Sequence, residues 1–278
     1  HFSRPTQTPD GMTLHLDMAH GLSTPEETHI PTNSLPAEWA PQSGVQLTWP
    51  HAGTDWAYML DEVTQCYLRM AYEIAVREPL LIVALCVDEV KALIEAQLPQ
   101  AAVKNIRYVE CPTNDTWARD HGPLTVLRGG VTVLLDFCFN GWGGKFEAAL
   151  DNQISRRCHE AGAFCVPMED QLDFVLEGGS IESDGAGTIL TTSECLLNPN
   201  RNPRLSKAEI EERLRNCFHA ERILWLDHGY LAGDDTDSHI DTLARLCPNG
   251  IIAYVQCTDR DDEHYDELRK MEEQLQTL

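Results

Sequence analysis

No Cys-x-x-Cys pair occurs anywhere in the 278 residues, which argues against structural zinc. No apolar run reaches the roughly 20 residues that a membrane-crossing helix needs, and no signal peptide is visible at the start. Basic residues are scarce: 21 Lys and Arg stand against 44 Asp and Glu, a formal net charge of -23. A field of that sign repels nucleic acid and anionic membrane and attracts small cations. Cysteine itself is not lacking. Ten are present, and Cys86, Cys138, Cys247 and Cys257 sit in or beside apolar strand-like runs, where a free thiol behaves as a small buried hydrophobe. A reduced, cytoplasmic chain is expected. With 42% hydrophobic and 23% charged residues, it reads as soluble and globular, with enough apolar material for one large α/β domain or two compact ones.

Residues 1–35 are rich in Thr, Pro and His without a sustained period and are read as an irregular arm, with the ordered body over 36–278. A strand is expected over 44–49, broken by Pro50, and Asp55 is placed to cap an amphipathic helix to about Arg77. Leu60, Val63, Tyr67, Met70 and Ile74 recur at three- and four-residue spacing along it. A buried strand over 80–87, a helix over 88–98 and a strand over 103–111 follow. The last of these delivers Asn114-Asp115-Thr-Trp117-Ala-Arg119-Asp120.

From there a unit recurs. Asp120 precedes a hairpin, 124–127 with 131–137, turned at Gly129-Gly130. Glu177 precedes one turned at Asp184-Gly185, with 188–191 returning, and Asp241 precedes one turned at Asn249-Gly250, with 251–257 returning. Amphipathic helices are expected after each, over 145–160, 207–218 and 262–275, and short strands after the first two, over 164–166 and 222–226. The acids are about 60 residues apart, and units repeated at such a period arrange around an axis. That arrangement would bring Asp120, Glu177 and Asp241 to one mouth. The strand at 45–49 has no hairpin partner before it and calls for a closing strand from the chain's other end. Since the sequence stops at Leu278, just after a unit's helix, the last module and closing strand are expected to be missing.

Ser238-His239-Ile240-Asp241 places a histidine and a carboxylate two residues apart, on one face if the segment is an extended strand. Such a pair couples a proton carrier to a fixed negative charge. Several acids converging on one histidine suit a planar cation, and guanidinium pairs bidentately with carboxylates. Trp117 is placed to stack on that plane; a core tryptophan and a surface His-x-Asp loop are the structural alternatives. Gly141-Trp-Gly-Gly144 and Gly185-Ala-Gly187 lack the strand-to-helix setting of a phosphate loop and read as turns. Asp234-Asp235-Thr-Asp237 has the acidity of a calcium loop without its later glycine and glutamate. Metal binding by His239 with nearby acids stays open.

Asn114-Asp-Thr-Trp-Ala-Arg-Asp120-His-Gly-Pro123, Phe139-Asn-Gly-Trp-Gly-Gly-Lys145, Leu176-Glu-Gly-Gly-Ser-Ile181, Thr191-Thr-Ser-Glu-Cys-Leu-Leu-Asn-Pro-Asn-Arg-Asn-Pro203 and Gly233-Asp-Asp-Thr-Asp-Ser-His-Ile-Asp241 together resemble the agmatine deiminase family, part of a wider group with the bacterial-type peptidylarginine deiminases. The resemblance runs from about Pro36 to the end and implies a five-unit α/β propeller of ββαβ modules. It implies that Asp120 and Asp241 bind the guanidinium nitrogens, that His239 is proton donor and then general base, and that Trp117, Glu177 and Asp235 contact substrate. It also implies a cysteine thiolate that attacks the guanidinium carbon, with no metal or organic cofactor. The family's nucleophile lies in a Gly-rich stretch ending His-Cys, and no such stretch occurs here. Cys195 sits in a motif that carries no nucleophile in the family, so the thiolate is expected to be absent from this chain.

Three functions follow as alternatives. The first is a hydrolase converting agmatine to N-carbamoylputrescine and ammonia in polyamine metabolism, or acting on peptidylarginine or another guanidine. The second is a guanidine- or polyamine-binding module without a nucleophile. The third is a metal-dependent hydrolase built on His239 and the acids. The expected partner is a small cationic guanidine, with no nucleic acid and no membrane; a homo-oligomer is compatible with the sequence.

Overall fold

A computed structural model of the protein describes residues 12–16 and 31–278. Contacts divide the chain into two units. The first comprises His1–Ala40, Thr125–Val133 and Gly179–Leu278, and the second Pro41–Leu124 and Leu134–Gly178. Among the described residues the strands form four three-stranded sheets, and helices pack against them, so the α/β class holds.

In the second unit, β2 (Val45–Thr48), β3 (Leu80–Ala84) and β4 (Ile106–Glu110) run parallel in that order. Their crossovers are α1 (Leu60–Ala75) and α2 (Val87–Gln97). Parallel strands need such helices, and burial from both sides explains the unbroken Leu80-Leu-Ile-Val-Ala84 run. Trp49, Leu68, Ala71, Ala75, Ile82 and Ile94 share one core. The expected helix 55–77 is divided: Asp55–Met59 is a 3₁₀ turn, and the α-helix starts at Leu60 after Met59 leaves helical geometry (φ -138°). Asp55 therefore caps nothing. β3 ends three residues before the expected Val87, and the strand expected over 103–111 starts only at Ile106, after a helical turn over 100–103.

The hairpin of β5 (Leu124–Arg128) and β6 (Val131–Cys138) turns at Gly129 and Gly130, φ 59° and 79°, the left-handed pair that a two-residue turn requires. β6 continues from the first unit into the second, where it pairs parallel with β7 (Met168–Val175) through α3 (Ile154–Glu160). Here the expectation fails twice. Residues 145–150 are not α-helix, and the strand lies at 168–175 rather than 164–166. Pro167 precedes that strand, and its polar run Glu169-Asp-Gln-Leu-Asp173 hides the alternation that marks a half-buried strand.

The first unit repeats the pattern. β8 (Ile181–Ser183) and β9 (Thr188–Thr192) pair antiparallel, and α4 (Lys207–Phe218) leads to β10 (Arg222–Leu226), parallel to β9. Ser206 and Glu209 close a capping box at the start of α4. β11 (Ala244–Cys247) and β12 (Ile251–Cys257) form the third hairpin, followed by α5 (Tyr265–Leu275). Leu226, Ile240, Leu243, Leu268 and Met271 form its core. The third neighbour in this sheet is β1 (Met12–Leu16), antiparallel to β12. That strand corrects the irregular reading of 1–35; Met12, Leu14 and Leu16 give it a period of two over only five residues. The remaining residues before 31 lie outside the described residues.

Candidate functional site

Each recurring acid sits at a helical turn immediately before its hairpin. Asp120 lies within Ala118–His121 before β5, Glu177 precedes the 3₁₀ turn Gly178–Ser180 before β8, and Asp241 lies within Ile240–Leu243 before β11. This corrects the extended reading of His239-Ile-Asp241. His239 caps a helical turn (ψ 137°) with Asp241 inside it, so the two do not share a strand face.

The second unit holds Trp117, Asp120 and Glu177. The loop leading to Asp120 is fastened by a reciprocal pair. The Asp151 carboxylate accepts the backbone N–H of Asn114 (2.6 Å) and Asp115 (3.0 Å), and Asn114 Oδ1 accepts that of Leu150 (2.8 Å). Burial pushes the Asp151 carboxyl up to about 7, against the pull of those two N–H donors. On the other side Trp56 Nε1 donates to Thr116 Oγ1 at 2.9 Å. The turn itself is held through His121, whose Nε2 meets Thr48 Oγ1 at 3.2 Å and whose carbonyl accepts from Ser155 Oγ at 3.1 Å. Burial lowers the His121 imidazole to about 4, so it is neutral at pH 7.

Asp120 is buried, and Trp142 Nε1 donates to its Oδ2 at 3.0 Å. Gly141, Trp142, Gly143 and Gly144 all have positive φ, between 55° and 81°, and form a left-handed turn fastened by Asn140 Oδ1 accepting from Gly143 N at 2.9 Å. For a tryptophan this geometry costs about 1–2 kcal/mol; here it aims the indole N–H at the carboxylate. A side chain on Gly141 would collide with the Phe146 carbonyl. Trp117 is 41% exposed, which excludes a core role. Its ring lies 5.9 Å from Trp56 and 6.2 Å, edge-on, from Trp142. Glu177 is fully buried. It is carried to the Asp120 turn because Gly178 packs on the Arg119 carbonyl so closely that a Cβ would collide. Next to burial, the Glu177 charge contributes to raising the Cys138 thiol.

The first unit holds Asp235, His239 and Asp241. His239 is buried and Asp241 partly so, whereas Asp235 is exposed. The loop's structural acid is Asp234, whose Oδ1 accepts from Thr236 N (2.9 Å) and whose Oδ2 accepts from Ser238 N (2.7 Å). Thr192 Oγ1 donates to the Ser238 carbonyl at 2.7 Å, joining the Thr191–Pro203 motif to the histidine. Cys195 Sγ thereby lies within 4.8 Å of a His239 ring nitrogen.

The family model for Porphyromonas-type peptidyl-arginine deiminases matches residues 34–278. The chain belongs to that family. Among its curated relatives, the agmatine deiminase of Pseudomonas aeruginosa is 38% identical over 256 residues, 89% of this chain and 66% of that protein. A crystal structure from Porphyromonas gingivalis is 48% identical with a TM-score of 0.81, covering 88% of this chain and 72% of the other. A C. jejuni agmatine deiminase with a cysteine-to-serine substitution and substrate bound is 36% identical, TM-score 0.78, covering 88% and 71%. The chain thus spans about two thirds of the length of the curated relatives it matches, between 62% and 67%. Among the described residues no helix is long and apolar enough to cross a membrane.

Sequence reasoning missed Trp142 and Asp151. The first was hidden in a glycine cluster read as a turn, although three glycines around one aromatic already signal a left-handed backbone. The second lies far from the motif it fastens and carried no local signal.

Proposed function

We propose that this member of the peptidyl-arginine deiminase family takes part in deiminating agmatine to N-carbamoylputrescine and ammonia. The observation that carries the reading is the buried Asp120 carboxylate, oriented by the Trp142 indole beside the exposed ring of Trp117. A fixed anion next to an aromatic face suits a planar cation. Asp120 and Asp241 hold the guanidinium nitrogens, Trp117 lines the slot, and Glu177 and Asp235 contribute to substrate binding. A thiolate adds to the guanidinium carbon. His239 protonates the departing nitrogen, which leaves as ammonia. The same imidazole then takes a proton from water as the S–C bond is replaced by a C–O bond, giving the ureido product and restoring the thiolate.

The recurring turn-plus-hairpin modules support a five-unit propeller of ββαβ modules of which residues 36–278 carry part. The chemistry calls for no metal or organic cofactor, and we place it in the cytoplasm. We propose that the thiolate belongs to a cysteine other than the ten in residues 1–278, since none of them lies in the family's nucleophile context. One observation favours a second reading: Cys195 Sγ is within 4.8 Å of a His239 nitrogen, so Cys195 itself would be the nucleophile. Its complete burial and the capping bond from its N–H to Thr192 Oγ1 favour a structural role. Ammonia and ureido product would be measured with agmatine, free arginine and a peptidylarginine. Conversion of the peptide with agmatine left untouched refutes the substrate assignment, and loss of turnover in a well-folded Cys195→Ser variant selects the second reading.

A further inference from the structure

We propose that Arg201 is a positioning residue for His239, its buried guanidinium fixing the backbone from which the imidazole projects. The Arg201 side chain is 0% exposed. Nη1 donates to Asp237 Oδ2 at 2.7 Å and Nη2 to the Thr236 carbonyl at 2.9 Å. One rigid fork therefore grips two consecutive residues and sets their mutual orientation, which a point charge on a flexible stem does not do.

The segment needs such a grip. Asp237 and Ser238 have φ of 64° and 59°, two successive non-glycine residues in the left-handed region, immediately before His239. That conformation persists only where its surroundings over-determine it. Thr236 Oγ1 accepts from the His239 N–H at 3.1 Å, so the residue whose carbonyl Arg201 holds also holds the histidine backbone. Other fasteners include Thr192 on the Ser238 carbonyl, Asp234 on Thr236 and Ser238, and Glu194, whose Oε2 accepts from Ser238 Oγ at 3.0 Å. Asp234, Glu194 and Asp237 put three carboxylates on this segment, and Arg201 brings an opposing charge. It lies 38 positions before His239, inside Asn198-Pro-Asn-Arg201-Asn-Pro203.

The test uses Arg201→Lys in purified protein that carries the catalytic thiolate, with two readouts. Amide exchange across 236–239 reads the backbone without any reference to activity. Steady-state kinetics with agmatine read the proton-transfer step and rest on the deiminase reading. Exchange is expected to accelerate about 10- to 100-fold and kcat to fall by a similar factor, with KM within about threefold of wild type. Should Arg201→Lys not fold, Asp237→Asn removes the other half of the pair and is read in the same way. Unchanged exchange in the folded variant overturns the proposal, as does a KM that rises as far as kcat falls. A wild-type protein that deiminates no guanidine removes the deiminase reading and the kinetic arm with it, and exchange alone then decides.

Discussion

Replacing Trp142 by phenylalanine separates the shape of the aromatic slot from its hydrogen bond. Phenylalanine keeps a ring against Phe139, Phe146 and Trp117, whose centroids lie 5.1, 5.6 and 6.2 Å from that of Trp142, but it has no N–H for the buried Asp120 carboxylate. A hydrogen bond to a charged group contributes about 1.5–3 kcal/mol, so kcat/KM for agmatine should fall about 10- to 150-fold. The smaller ring also leaves space in a buried site, and the fold should lose about 1–3 kcal/mol. Urea unfolding measures that loss independently, and ammonia release is measured well below the unfolding midpoint. Trp117→Phe is the comparison, because it narrows the aromatic face while no hydrogen bond to Asp120 is altered; its loss in kcat/KM should be smaller than that of Trp142→Phe. A folded Trp142→Phe protein with near wild-type kcat/KM would refute the argument that the indole N–H orients the carboxylate. Equal losses in the two variants would assign the effect to the aromatic wall instead.

Asp120→Asn removes a buried charge from its cation and should reduce turnover by about 100-fold or more; His239→Ala should abolish turnover while calorimetry still detects agmatine. Activity equal to wild type in either variant removes that residue from the mechanism. Gly178→Ala forces a Cβ onto the Arg119 carbonyl and should cost about 2–4 kcal/mol in urea unfolding, with activity falling as the Asp120 turn shifts. His121 titrates near 4 in the fold against 6.5 for an ordinary imidazole. The unfolded chain therefore binds the extra proton between those values, so this group makes stability fall as pH drops from about 6.5 to 4. His121→Asn should flatten that slope in pH-dependent urea unfolding, and an unaltered slope would show that the imidazole is not the group responsible.

Much of the fold was legible because it is encoded locally. The Ser206-x-x-Glu209 box and the apolar spacing of Ile210, Leu214 and Cys217 mark α4 at both ends, and β10 follows where its apolar run predicts. The three hairpins announce themselves through glycine-bearing turns that need positive φ. What escaped is encoded at a distance. β7 owes its place to parallel pairing with β6, not to its own polar sequence. The His239-Ile-Asp241 segment is helical at Asp241 because the preceding loop, fastened by Asp234, Thr192 and Arg201, leaves the chain entering a turn. The three recurring acids were visible as a pattern in the sequence. The groups that aim and fasten them, Trp142 on Asp120 and Asp151 on the approach loop, appear only once the chain has folded.

The left-handed turn at Gly141–Gly144 also bears on how this protein can vary over generations. A single base change in a glycine codon that alters the residue installs an L side chain or a stop. At Gly141 any such side chain meets the Phe146 carbonyl, and at Gly143 and Gly144 the backbone φ of 81° strains it. Asparagine, which tolerates this geometry best among the larger residues, lies two base changes away. Stepwise drift is therefore closed at Gly141 and narrow at Gly143 and Gly144, where aspartate, one base change away, is among the few side chains that tolerate a left-handed backbone.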